Sequence, residues 1–251
     1  MPGPAPTACC STQVHDPPHT GTGGRCFATC HNDGMRHGYT NRTVLSDGEV
    51  HKRYAGPDAP ARLAAEFRAL SRLAEVMPVP TVIARSPASL VLSLIPGEHG
   101  QDLIDAGRAE TVLAGCGELL RRLHQIPPAT LRPADTTGVI SHGDFGPNNV
   151  LFDPVTMRVT ALLDWEFSDV GDAIGDIAWC EWIVRMHHPA ATTALPKFFE
   201  AYGCTPAWEN RRSAMVHRCH ELEQFCHRWS PDGPGERQWR DRAAHTARWQ
   251  E

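Results

Sequence analysis

Three polar side chains stand at spacings that suit phosphoryl transfer. His142-Gly143-Asp144 is followed five residues later by Asn149, and a short hairpin then leads to Asp164. Phosphoryl transfer needs an acceptor for the proton of the attacking hydroxyl, and oxygen ligands for magnesium on the phosphates. A carboxylate, an amide and a second carboxylate supply these, so Asp144 is the candidate base and Asn149 and Asp164 the candidate metal ligands. Any one of them alone would read as an Asp or Asn turn or a cap. The array as a whole points to the chemistry.

Lys52 is the next candidate, because the chain has twenty-two arginines and only two lysines. In the strand-like EVHKRY, alternation puts Lys52 on the face of Val50 and Tyr54. Its stem would be sheltered there while its ammonium reaches a phosphate as a point charge. A surface lysine is the plainer alternative. Glu66, on the helix that follows, is the natural counter-ion, although a single helical glutamate is more often solvated. Gly38-Tyr39-Thr40-Asn41-Arg42 precedes the first strand and could cover nucleotide phosphates, which makes Asn41 a candidate contact. Ser93, Leu94 and Ile95, ahead of Pro96-Gly97, would connect two lobes and offer backbone groups and apolar faces to adenine.

The elements around these residues divide the chain. Residues 1–24 are rich in Pro, Gly, Ser and Thr and nearly free of large apolar residues, so they are expected to form a flexible tail. Residues 25–95 are expected to make a first lobe that binds the nucleotide phosphates. It begins with a hairpin turning at Ser46, Asp47 and Gly48. A helix follows, with Leu63, Phe67, Leu70 and Leu73 at helical spacing, and then the strands TVIAR and SLVLSLI. Residues 96–251 read as a mainly helical second lobe that carries the catalytic loop. Its first helix has Val112, Leu113, Leu119, Leu120 and Leu123 on one face. Strands are expected at Val150 to Phe152 and Val159 to Leu163, with helices near Ile174 to Met186, Ala190 to Tyr202 and through the stretch after Pro206. The fold class is α+β, a small antiparallel sheet with one helix set against a helical lobe.

Composition narrows the alternatives. The 251 residues suffice for one enzyme of two lobes. No apolar run is long enough for a membrane span and the tail lacks the pattern of a signal peptide, so the cytoplasm is the expected compartment. Residues 1–96 carry a net charge of +2 and residues 97–251 a net charge of −7. The acidic part would suit a cationic ligand, the plainer reading being a solvated surface. No arginine-rich run interleaved with aromatics suggests nucleic acid. The nine cysteines are scattered, and reduced thiols are expected. Two His and Cys groups, Cys26, Cys30 and His31, and then His217, Cys219, His220, Cys226 and His227, would be the only candidates for zinc.

These motifs resemble the aminoglycoside phosphotransferase-like kinases, which are related in fold to choline kinase and to protein kinases. The likeness runs from about Gly38 to at least Trp182 and rests on HGDFGPNN and LLDWEFSDVGDAIGD. It implies a protein kinase-like two-lobed fold, ATP and Mg2+ as cofactors, and a small hydroxylated molecule as acceptor. By that match Asp144 is the base, Asn149 and Asp164 hold magnesium, Lys52 contacts phosphate and Glu66 is its partner. Asp176 corresponds to a buried carboxylate that braces the catalytic loop, and His142 is structural. Gly143 stands where protein kinases carry Arg, and Trp165-Glu166 where they carry Phe-Gly, so a protein acceptor is disfavoured. Glu166, Asp169, Glu181 and Trp182 are expected, from location alone, to line the acceptor pocket. The acceptor would be an aminoglycoside-like or other antibiotic. A metabolic kinase for choline, an amino alcohol or a sugar is the alternative, and a nucleotide-binding pseudokinase a further one.

Overall fold

The computed structural model describes residues 41–133 and 136–251. The glycine-bearing approach to the first strand, the tail, and Cys26, Cys30 and His31 lie outside the described residues. Strands β1 (Asn41–Ser46) and β2 (Glu49–Tyr54) pair antiparallel across Asp47-Gly48. Both turn residues have positive φ, 52° and 78°, the geometry of a tight two-residue hairpin. Helix α1 (Ala59–Leu73) starts with Pro60 in its first turn and buries Leu63, Glu66, Leu70 and Leu73. Strands β3 (Val82–Arg85) and β4 (Ser89–Ser93) complete a four-stranded sheet in the order β1-β2-β4-β3. Lys52 therefore sits on an inner strand, opposite Thr43 on one side and Leu90 on the other.

The remainder is mainly helical around two small sheets. β5 (Glu98–His99), β7 (Val150–Phe152) and β8 (Val159–Leu162) form one, and β6 (Val139–Ser141) with β9 (Asp169–Gly171) the other. β5, β6 and β9 have only two or three residues each and no readable period, which is why the sequence does not announce them. The helices are α2 (Gly100–Asp105), α3 (Ala109–His124), α4 (Ala173–His187), α5 (Leu195–Tyr202), α6 (Trp208–Trp229) and α7 (Pro234–Thr246). The helix expected from Ala190 is a 3-10 turn over Pro189–Ala194 and becomes α-helical only at Leu195. The stretch after Pro206 is helical as expected, in two helices separated where Pro231, Asp232 at φ 57° and Gly233 interrupt it. Among the described residues no helix is long and apolar enough to cross a membrane.

One hydrophobic cluster runs from Tyr54, Leu70 and Leu90 in the first lobe through Leu120 and Phe145 to Phe198 in the second. A smaller one gathers Trp179, Trp182, Trp208, Met215 and Cys219 where α4 packs on α6. α6 also reaches back across the lobes. Arg228 pairs with Asp58 at 2.9 Å, and Trp229 lies where a side chain at Gly56 would be. The tightest helix contact is at Gly117 of α3, where an added Cβ would stand 2.3 Å from the Phe198 carbonyl oxygen and 3.0 Å from the Ala201 Cβ. Alanine at an open helical site gains about 1 kcal/mol over glycine. Here the overlap with backbone reverses the sign, and Gly117→Ala is expected to lose about 1–3 kcal/mol, read as a lower urea midpoint.

Candidate active site

The site is built where the first-lobe sheet and α1 meet the loops of the second lobe. Lys52 is only 6% exposed, and its Nζ lies 2.6 Å from Glu66 Oε2 and 2.5 Å from Asp164 Oδ1. Tyr54, two residues along the same strand face, donates its hydroxyl to Glu66 Oε2 at 2.5 Å. Burial works to strip Lys52 of its proton, but Asp164, Glu66 and Glu166 outweigh it and raise its pKa, so the ammonium stays charged. Burial pushes Glu66 up against the pull of Lys52. Asp164 is also disfavoured as an ion by burial, yet Lys52 holds it below the usual carboxylate range.

Helix α1 grips the segment after Asp164 with two side chains one turn apart. The Trp165 amide donates to Glu66 Oε1 at 3.4 Å, and Arg62 pairs with Glu166 at 2.5 Å. Arg62 is anchored in turn on the carbonyls of Pro57 and Ala55. Asp164 itself has φ 65°, a left-handed conformation that a non-glycine residue holds only when its neighbours enforce it. Among the described residues, the one group of acidic, His or Cys ligand atoms that converges within 4.8 Å is Glu66, Asp164 and Glu166. His217, Cys219, His220, Cys226 and His227 do not converge: Cys219 is buried in the α4–α6 core, while His220 and His227 pair with Glu223 and Glu236.

The catalytic loop is braced from beneath by Asp176. One of its oxygens accepts from the His142 amide and the other from the Gly143 amide, both at 2.8 Å, and His124 Nε2 approaches at 3.2 Å. His142 is fully buried, and burial lowers its pKa, so it is neutral. The Asp144 amide donates to its Nδ1 at 3.3 Å, which leaves Nε2–H to donate to the Leu163 carbonyl at 2.9 Å. Gly143 has φ 79°, and an added Cβ would meet the Phe167 carbonyl oxygen at 2.4 Å, so this position requires glycine. Asp144 is half-buried. Asn149 Nδ2 donates to its Oδ2 at 3.0 Å and to its carbonyl at 2.8 Å, and Trp179 Nε1 donates to its Oδ1 at 2.7 Å. Burial pushes Asp144 up to about 6, with the nearby Asp164 adding to the shift and Arg218, Trp179 and Asn149 opposing it.

Two of the residues expected at the nucleotide are engaged within the protein. Asn41 is bound within the protein, its amide donating to Glu166 at 2.6 Å and accepting from Arg62 at 3.2 Å. Ser93 ends β4 with its amide and hydroxyl both engaged by Thr81, at 2.9 Å each; Leu94 and Ile95 follow beyond the strand, with Leu94 46% exposed. The acceptor-pocket expectation needs correction. Glu181 is buried between Arg185 and Arg211, and Trp182 lies in the core, because α4 is buried continuously from Asp176 to Val184. Glu166 is buried on Arg62, and Asp169 is bound bidentately by Arg132. Sequence reasoning missed Arg62, Tyr54, Trp179 and Arg218. Only the first two carried a signal, as i−4 from Glu66 on a helix and i+2 from Lys52 on a strand.

The profile of the phosphotransferase enzyme family matches residues 34–139 and 130–214. An aminoglycoside 3'-phosphotransferase of Streptomyces fradiae is 33% identical over 130 residues, 51% of this chain and 44% of that protein. Acyl-CoA dehydrogenase family member 11 of Gallus gallus is 43% identical over 49 residues, 20% of this chain and 6% of that protein. The chain thus spans less than half the length of these curated relatives. Among solved structures, an aminoglycoside 2'-phosphotransferase in a GDP complex superposes with a TM-score of 0.67 at 12% identity, covering 84% of this chain and 90% of that one. An aminoglycoside phosphotransferase of Streptomyces rimosus, in complex with ADP and streptomycin, gives 0.56 at 19% identity over 68% of this chain and 87% of that one. A macrolide 2'-phosphotransferase of Brachybacterium faecium gives 0.53 at 20% identity over 86% and 91%. These structures share the two-lobed fold described above, and with most of its length matched by the family profile, the chain belongs to the phosphotransferase enzyme family.

Proposed function

We propose that this chain transfers the γ-phosphoryl group of ATP to a hydroxyl of a small molecule, an aminoglycoside-like or other antibiotic. The observation that carries this reading is the pairing of Lys52 with Asp164 and of Asn149 with Asp144 at the junction of the lobes, with Asp164 close enough to Asp144 to raise its pKa. Lys52 is the phosphate contact and Glu66 keeps it aimed. Leu94 and Ile95 are the connector residues beside the adenine. Asp144 accepts the hydroxyl proton as the oxygen attacks phosphorus, and the bond to the departing ADP oxygen breaks in line.

The donor set fits a magnesium ion. The amide nitrogen of Asn149 is committed to Asp144, which leaves its amide oxygen as the atom to offer a cation, and the Asp164 side chain is 37% exposed, so its carboxylate can be reached. Held by Asn149 and Asp164, magnesium would neutralise charge developing on the phosphate oxygens. The antibiotic class is supported by the aminoglycoside and macrolide phosphotransferases that share the fold and by the Streptomyces fradiae relative. Recognition of a polycationic acceptor by Glu166, Asp169 or Glu181 is not supported, since each is already bound by arginine.

Mass spectrometry across aminoglycosides, macrolides, choline and sugars with Mg-ATP or Mg-GTP is the direct test, and addition of one phosphate to an antibiotic is expected. Phosphorylation of choline or a sugar alone would transfer the protein to metabolism. No product in the presence of tight Mg-ATP binding would make it a pseudokinase. Asp144→Ala should lower turnover by roughly 10² to 10⁴ with nucleotide affinity nearly intact, and normal turnover would remove Asp144 from the role of base. Asp164→Ala should weaken magnesium-dependent ATP binding in calorimetry, and an unchanged affinity would argue against its metal role.

A further inference from the structure

The Asp144 carboxylate is held from both sides, and only one of the two donors belongs to the catalytic loop. Asn149 Nδ2 reaches Oδ2 at 3.0 Å, whereas Oδ1 accepts from Trp179 Nε1 at 2.7 Å, across from α4. The terminal torsion of an aspartate is broad, so one hydrogen bond leaves the carboxylate plane free to turn. Two donors on opposite oxygens fix it. We propose that Trp179 is a positioning residue, whose indole N–H sets the plane in which Asp144 meets the acceptor hydroxyl. This rests on the reading of Asp144 as the base.

The indole is itself immobilised by elements far along the chain. Trp179 stacks on Trp182 with centroids 4.4 Å apart and planes within 6°. Trp182 Nε1 donates to Thr246 Oγ1 at 2.9 Å, and Thr246 is fully buried on the last turn of α7. Trp239, also on α7, lies 6.0 Å from the Trp179 ring. From α6, Arg218 donates to the Gly143 carbonyl at 2.8 Å with its guanidinium 5.9 Å from the same indole, so loop and donor are held in one register. A buried indole N–H needs some acceptor, and a backbone carbonyl would satisfy it as well. Here it is spent on the one carboxylate assigned to proton transfer, as a charge-assisted bond.

Trp179→Phe keeps an aromatic ring and removes the donor, and benzothienylalanine at position 179 keeps the bicyclic shape as well, should the phenylalanine variant fail to fold. Turnover is read as ADP release from Mg-ATP, with water or the acceptor found by the panel as nucleophile. The expected result is a kcat lowered about 10-fold, the scale of a lost hydrogen bond to a charged group, with the KM for ATP within about twofold and melting temperature nearly unchanged. In an Asp144→Asn background the same change should cost less than about twofold, because no base remains to be oriented. Equal losses in both backgrounds, or an unchanged kcat in a folded variant, would overturn the positioning role while leaving Asp144 as base. Wild-type turnover in Asp144→Ala, or none at all in the wild type, would remove the reading on which the proposal rests.

Discussion

The buried ion group of Lys52, Glu66 and Asp164 is the constraint from which the rest of the structure follows. An ammonium out of water is tolerable only with close, well-oriented counter-charges, and a carboxylate at the floor of α1 is tolerable only with that ammonium. The partners come from three places: a strand, a helix and the far lobe. Asp164 is the member that brings the second lobe into the group. Arg62 and Glu166 extend the same logic one helical turn away, and together two cations face three carboxylates. One negative charge is left over at the mouth of the site, on the side where Asp164 is exposed, and it suits the approach of a divalent cation.

The catalytic loop obeys a different constraint, the satisfaction of buried backbone groups. Residues 142–143 turn sharply, with two amides facing inward where no strand or helix can accept them. Asp176, at the start of α4, accepts both, and the pull of those donors and of His124 keeps it ionised against burial. His142 fills the space above and, being neutral, links the Asp144 amide to the Leu163 carbonyl. The Asp144 and Asp164 segments are thereby connected through one imidazole. The absence of a side chain at Gly143 then has a steric cause, the Phe167 carbonyl.

How much of this was legible depended on whether a residue's role was set locally. Lys52 stood out by rarity and strand alternation, and Glu66 by its place on the next helix. Asp144 and Asn149 stand five residues apart in one loop, so their contact needed no knowledge of the fold. Asp47-Gly48 dictated its own hairpin. What stayed hidden came from distant segments: Trp179 lies 35 residues beyond Asp144, and Arg218 lies 75 beyond Gly143. Nothing in either neighbourhood marks it. The acceptor-pocket residues differ for a related reason, because position near a motif in sequence does not say which side of it is open, and α4 is enclosed on nearly every face.

That enclosure changes how the charge of the second lobe should be read. Its net charge of −7 suggests a surface that draws in cations. Yet Glu166 and Glu181 are each bound to a guanidinium, and the charges that act on Asp144 are Asp164, itself paired with Lys52, and Arg218. α6 and α7, through Arg218 on the Gly143 carbonyl and Thr246 on Trp182, reach the loop and the indole that contacts Asp144, so the setting of that carboxylate depends on helices well outside its own loop.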